Sequence, residues 1–99
     1  IAINGMAHIT GGGFIENIPR ILPKNCTATI SKGSWDILPV FNCIQSIGNI
    51  DEHEMFRTFN MGIGMIVIAS KNQVGPIKNL INVIEIGKVE EGMGGVKLI

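Results

Sequence analysis

Three observations predict an α/β fold with an open mixed sheet and helices packed against it. Met61 to Ala69 is almost wholly apolar and rich in Ile and Val, the composition of a strand buried on both faces. Helical patterns alternate with short β-branched segments along the chain, as expected for helices layered on a sheet. Finally, Gly11-Gly12-Gly13 joins an apolar, strand-like segment to an amphipathic helical one.

Taken in order, residues 1–9 alternate imperfectly and carry the small side chains of a closely packed strand. A first helix is expected from Gly12 to Leu22, kinked or broken at Pro19, and ended by Pro23-Lys24-Asn25. Residues 26–31 are β-branched and alternating, a second strand, with Lys32-Gly33-Ser34 as its turn. Pro39 suits the first turn of a second helix, with Val40, Phe41, Ile44 and Ile47 on its apolar face and Gly48 at its end. Asp51 and Glu54 have the spacing of a capping box and should start a short third helix reaching Phe56 to Thr58. Met61 to Ala69 is the expected central strand, paired on both edges. After 72–75 comes a helix with Pro76 near its start and Val74, Ile77, Leu80, Ile81 and Ile84 on one side. Residues 85–89 and 95–99 read as two final strands, with the glycine-rich segment between them as a hairpin turn.

The chemistry concentrates in the run His8-Ile9-Thr10-Gly11-Gly12-Gly13-Phe14-Ile15-Glu16-Asn17-Ile18-Pro19-Arg20. Glycines let the backbone approach a ligand closely, and the first N–H groups of a helix offer donors to an anion. At about 100° per residue, Phe14, Ile15, Ile18, Ile21 and Leu22 share one arc and Glu16, Asn17 and Arg20 the opposite one. The polar arc can face a cleft beside the loop, or simply solvent. Spacing alone does not choose between a phosphate loop and a glycine-rich turn before an ordinary helix.

HITGGGFIENIPRILP, followed by W-x-x-x-P at Trp35 to Pro39 and by MFRTFNMGIGM at Met55 to Met65, resembles the C-terminal domain of the aminoimidazole ribonucleotide synthetases. These enzymes are also called phosphoribosylformylglycinamidine cyclo-ligases and act in purine biosynthesis. The resemblance covers most of the chain and is weakest after about residue 72. It implies that residues 1–99 are the later part of that domain, with an N-terminal ATP-binding domain and the start of the C-terminal domain lying outside. It also implies ATP and Mg²⁺ as requirements of the full-length enzyme, bound mainly outside this segment. Further implications are a nucleotide substrate, the missing N-terminal part as a partner, a homodimer and a cytoplasmic location. Related ATP-binding enzymes such as selenophosphate synthetase tend to carry an acidic residue where His8 stands, which favours the synthetase.

Bulk properties narrow the field. Eight basic and eight acidic residues cancel, so no basic stripe argues for nucleic acid. No apolar run approaches the roughly 20 residues of a membrane span. Charged residues are 16% of the chain, against about a quarter in typical domains, and mean hydropathy is +0.35. For a small domain, that excess of apolar surface suggests faces covered by another domain or subunit. Cys26 and Cys43 form no metal-ligand pattern with His8 or His53 and are expected as two buried free thiols.

The candidate substrate- or phosphate-binding residues are His8, Thr10, Gly11, Gly12, Gly13, Glu16, Asn17, Arg20 and Asn60, with no catalytic residue or metal ligand assigned. Thr10 and the glycines offer a hydroxyl and backbone donors. A histidine on an apolar strand is more often a core residue than a catalyst, which places His8 at or near the site as a substrate contact, with catalysis the lesser alternative. Glu16 and Asn17 could bond a ribose or an amide. Arg20 could meet a phosphate but suits a local pair with Glu16 better. Asn60 enters through the resemblance, whereas Gly62 and Gly64 read as packing positions. A non-catalytic anion- or nucleotide-binding module, or a structural half-domain, would carry the same loop.

Overall fold

A computed structural model describes residues 1–99 and contains five strands and four α-helices. The strands are β1 (Gly5–His8), β2 (Cys26–Ile30), β3 (Met65–Ile68), β4 (Gly87–Glu91) and β5 (Val96–Leu98). The helices are α1 (Gly13–Asn17), α2 (Pro39–Gly48), α3 (Glu52–Thr58) and α4 (Val74–Leu80). The α/β class holds, but the strands form two small open sheets. β1 and β3 pair antiparallel, while β2 lies between antiparallel β4 and parallel β5.

The first helix breaks at Pro19, where the missing N–H and the clash of the ring with the carbonyl of the preceding turn interrupt the α-helical ladder. Only 13–17 are α-helical, and Pro19–Ile21 follow as a 3₁₀ turn. α2 and α3 fall where Pro39 and Asp51 place them, although their ends differ in detail. The left-handed cap of α2 is Asn49 (φ 49°), one residue beyond Gly48. At α3, Asp51 stands at the cap position without a side-chain cap bond, and the Glu54 carboxylate, which would complete a capping box, is engaged by Arg57.

Two expectations about strands fail. The run 61–69 is not a strand throughout: Met61 and Gly62 have φ of 53° and 91°, and regular pairing begins only at Met65. β3 has one neighbour, β1, and Met65 is half exposed, so it is an edge strand here rather than one paired on both sides. Nor do β4 and β5 form a hairpin. They flank β2, and the glycine run 92–95 crosses over the start of that strand. Gly94 and Gly95 adopt φ of 95° and 76° there, and their carbonyls accept from Thr27 Oγ1 (3.0 Å) and the Ala28 N–H (3.0 Å). The thiols also differ from expectation, since Cys26 is half-buried and Cys43 exposed on α2.

The core is built around Phe14, Phe56 and Trp35, with ring centroids 5.6–6.3 Å apart. Ile9, Ile18, Met55 and Met61 close around them. The outer face of α2 has no such cover: Val40 and Ile47 are exposed, as are Leu80, Ile81 and Ile84 in and after α4. The apolar excess of the sequence therefore appears as uncovered surface.

Candidate functional site

The glycine loop connects β1 to α1, and three contacts shape it. Gly13 N–H donates to the Thr10 carbonyl at 2.9 Å, closing a tight turn. Gly12 and Gly13 both have positive φ, 98° and 58°, which side chains rarely tolerate. At Gly13 a Cβ would also overlap the Phe56 carbonyl and lie 2.7 Å from that of Phe59, so α1 and α3 meet at this glycine. Gly11 differs, for it is exposed and a Cβ there would meet nothing within 4 Å.

Beneath the loop lies Asn17. Its side chain is buried, and its amide donates to the carbonyls of Gly13, Gly11 and Thr10 at 2.8, 3.2 and 3.3 Å. With those carbonyls drawn inward, the N–H groups of Thr10, Gly11 and Gly12 make no hydrogen bond within the chain. The expected solvated polar arc is thus corrected at Asn17, whose amide holds the loop rather than facing a cleft. Arg20 donates to Asn17 Oδ1 at 3.3 Å and so braces this amide instead of pairing with Glu16.

Glu16 turns to Arg57 on α3, 3.3 Å away. Arg57 also binds Glu54, and that bond holds the Glu54 carboxyl below its ordinary value and raises the guanidinium. A Cβ on Gly12 would stand 2.8 Å from Glu16 Cβ, so this acid lies directly against the loop. The side chain of His8 is exposed on β1, opposite Met65. Asn60 is committed to its own turn: Oδ1 accepts the Gly62 N–H at 2.8 Å, and its carbonyl accepts from Ile63. The two sequence motifs meet through Glu16–Arg57, through Gly13 under α3, and through Ile9 N–H donating to Gly64 at 2.9 Å.

Two residues important to this arrangement escaped the candidate set. Arg57 lies inside MFRTFN, three residues after Glu54, and that spacing was the available signal. Trp35 donates its indole N–H to Met61 from across the core, a pairing with no local trace in sequence. No group of three or more His, Cys, Asp and Glu side chains is placed to hold a metal ion. No helix is long and apolar enough to cross a membrane.

An α/β domain whose glycine loop is fixed from below by an asparagine and from the side by α3 defines the class. Residues 1–98 match the family described as AIR synthase related protein, C-terminal domain, and the chain belongs to that family. It is 53% identical to a phosphoribosylformylglycinamidine cyclo-ligase of Caldicellulosiruptor saccharolyticus, covering 99% of this chain and 30% of that protein. It is 56% identical to the cyclo-ligase of the same name from Caldanaerobacter subterraneus, over 99% and 31% of the two chains. Against the one from Methylobacillus flagellatus the identity is 48%, over 100% and 30%. The chain thus spans about a third of the length of the curated relatives it matches.

Proposed function

We propose that this chain is part of a phosphoribosylformylglycinamidine cyclo-ligase of purine biosynthesis, in which the loop 10–13 binds a phosphate of the nucleotide substrate. The observation that carries the loop's role is the set of three consecutive N–H groups, Thr10 to Gly12, left free at an exposed strand-to-helix junction. Asn17 fixes the carbonyls inward, so donors at this loop need no rearrangement to meet an anion. Thr10 adds a hydroxyl, and His8 flanks the loop as a further substrate contact.

In the whole enzyme, ATP phosphorylates the amide oxygen of formylglycinamidine ribonucleotide, and an internal nitrogen then displaces that phosphate to close the imidazole ring. ADP and phosphate leave, and aminoimidazole ribonucleotide is the product. The residues of this chain do not fit a Mg²⁺ site, which the reading places in the rest of the protein together with the ATP site. This segment supplies binding and positioning, the largest needs of phosphoryl transfer. It is inactive alone and works in a cytoplasmic homodimer.

The test is ADP release and product formation by the intact protein given ATP and formylglycinamidine ribonucleotide. Turnover is expected from the intact protein and none from residues 1–99 alone. Absence of turnover in the intact protein, with the nucleotide still bound, would favour a binding module instead. Turnover by the 99 residues would contradict the division of labour.

A further inference from the structure

A carboxylate stands beside the proposed phosphate loop. Glu16 follows Gly12 by one turn of α1, and its Cβ and Cδ lie 2.8 and 3.1 Å from the point that a Gly12 Cβ would occupy. Gly12 is also one of the residues whose N–H is free. An ionised acid so close to an anion site repels the anion that the site should admit, since like charges a few ångströms apart interact strongly wherever water is partly excluded.

One side chain answers that charge. Arg57 Nη1 donates to Glu16 Oε2 at 3.3 Å, and the Glu16 carboxylate has no other hydrogen-bond partner within the chain. The opposite edge of the guanidinium is committed to Glu54, with Nε on Oε2 at 2.9 Å and Nη2 on Oε1. A planar fork held along one edge presents its remaining nitrogen in a fixed direction, which a lysine ammonium cannot do. The seat of α3 is fixed as well. Met55 and Phe56 are buried, and the carbonyls of Phe56 and Phe59, on either side of Arg57, close over Gly13 with no room for a Cβ. The turn that shuts the third glycine of the loop therefore also carries the cation facing Glu16. Around the loop two acids, Glu16 and Glu54, are matched by two cations, Arg57 and Arg20. Arg20 is bonded to Asn17 and pairs with neither acid, so removal of Arg57 leaves both carboxylates without a cation.

We propose that Arg57 is a positioning residue for the nucleotide: clamped by Glu54, it neutralises Glu16 and draws that carboxylate toward α3, so that the loop 10–13 admits a phosphate. This role rests on the reading of the loop as the phosphate site. Arg57 acts through Glu16 and does not itself touch the ligand.

Titration of the intact protein with formylglycinamidine ribonucleotide tests this. Arg57→Met removes the charge from a half-exposed pair, so the melting temperature should move little. Affinity should fall about tenfold, because an unmatched carboxylate now faces the phosphate. Adding Glu16→Gln to Arg57→Met removes that stranded charge and should restore affinity to within about threefold of the wild type. A merely structural tie between α1 and α3 gives no such rescue, since the double variant lacks the tie too. Wild-type affinity in Arg57→Met would overturn the proposal. So would a double variant as weak as Arg57→Met, because Arg57 would then bind the phosphate directly or hold the fold. Should Arg57→Met fail to fold, Glu16→Gln alone decides. It leaves Arg57 with charge to spare and should tighten binding about threefold. Unchanged or weakened binding there would overturn the proposal. Gly11→Val separates this role from the reading it rests on. If Gly11→Val weakens binding and Arg57→Met does not, only the role of Arg57 falls; if Gly11→Val binds as the wild type does, the loop reading falls and takes this role with it.

Discussion

Trp35 donates its indole N–H to the carbonyl of Met61 at 3.0 Å inside the core, bridging 26 residues of sequence. Met61 holds a left-handed φ of 53°, uncommon for a side chain of its size, and the bond fixes the carbonyl that this conformation turns inward. The turn that aims the chain into β3 is thus tied to the aromatic core around Phe14.

Trp35→Phe keeps the ring packing but leaves the Met61 carbonyl without its partner. A buried acceptor left unsatisfied costs about 1–3 kcal/mol. A denaturant midpoint lowered accordingly is expected, and an unchanged midpoint would show that the bond contributes nothing.

The three glycines should separate by role. Gly13→Ala forces a side chain into positive φ and into the Phe56 carbonyl, at a cost of at least about 2 kcal/mol. Gly12→Val is strained as well, by a φ of 98° and by Glu16, so it reports on folding as much as on ligand. Gly11→Ala meets open space and should leave the melting temperature unchanged. Thermal unfolding of the three variants checks the order.

Asn17→Leu removes the buried amide on which the Thr10, Gly11 and Gly13 carbonyls converge. A loss of about 1–3 kcal/mol is expected. Exchange of the Gly13 amide should also quicken as the loop loosens. Retention of wild-type exchange there would show that Asn17 does not hold the loop.

Acid should weaken the three-stranded sheet through Glu90. Its carboxylate accepts from the buried Thr29 hydroxyl at 2.6 Å and pairs with Lys88, and these contacts lower its pKa below the ordinary 4.5. A carboxyl whose folded value is depressed adds stability that is fully present above the unfolded value and is lost as pH falls through the folded one. The loss therefore lies below about pH 4.5. Thr29→Val removes the larger cause, so unfolding midpoints followed from neutral pH into acid should fall less steeply than in the wild type. An identical slope would assign the effect elsewhere.

Local chemistry was legible in the sequence. Pro19, Pro39 and Asp51 announce a helix break and two helix starts by rules that act within one turn. The apolar arc of Phe14 and Ile18 likewise points to the core it fills. What depends on distant partners was not legible. Met61 to Ala69 has the composition of a doubly paired strand, yet its pairing is decided by which strands lie beside it. Asn17 falls on the polar arc by helical angle, but the loop folding back over it buries it. The hairpin expected at 92–95 fails because β2 takes the place between β4 and β5, a topological choice that no glycine spacing records.

The proposed role of the loop as a phosphate anchor is tested most directly by titrating the intact protein with formylglycinamidine ribonucleotide, comparing wild type with Gly11→Val. The added side chain has room in the fold and projects where the ligand should sit, next to the free N–H groups. Binding weakened by about tenfold or more, at an unchanged melting temperature, is the predicted result, corresponding to about 1.4 kcal/mol. Wild-type affinity in Gly11→Val would contradict it and place the substrate phosphate elsewhere.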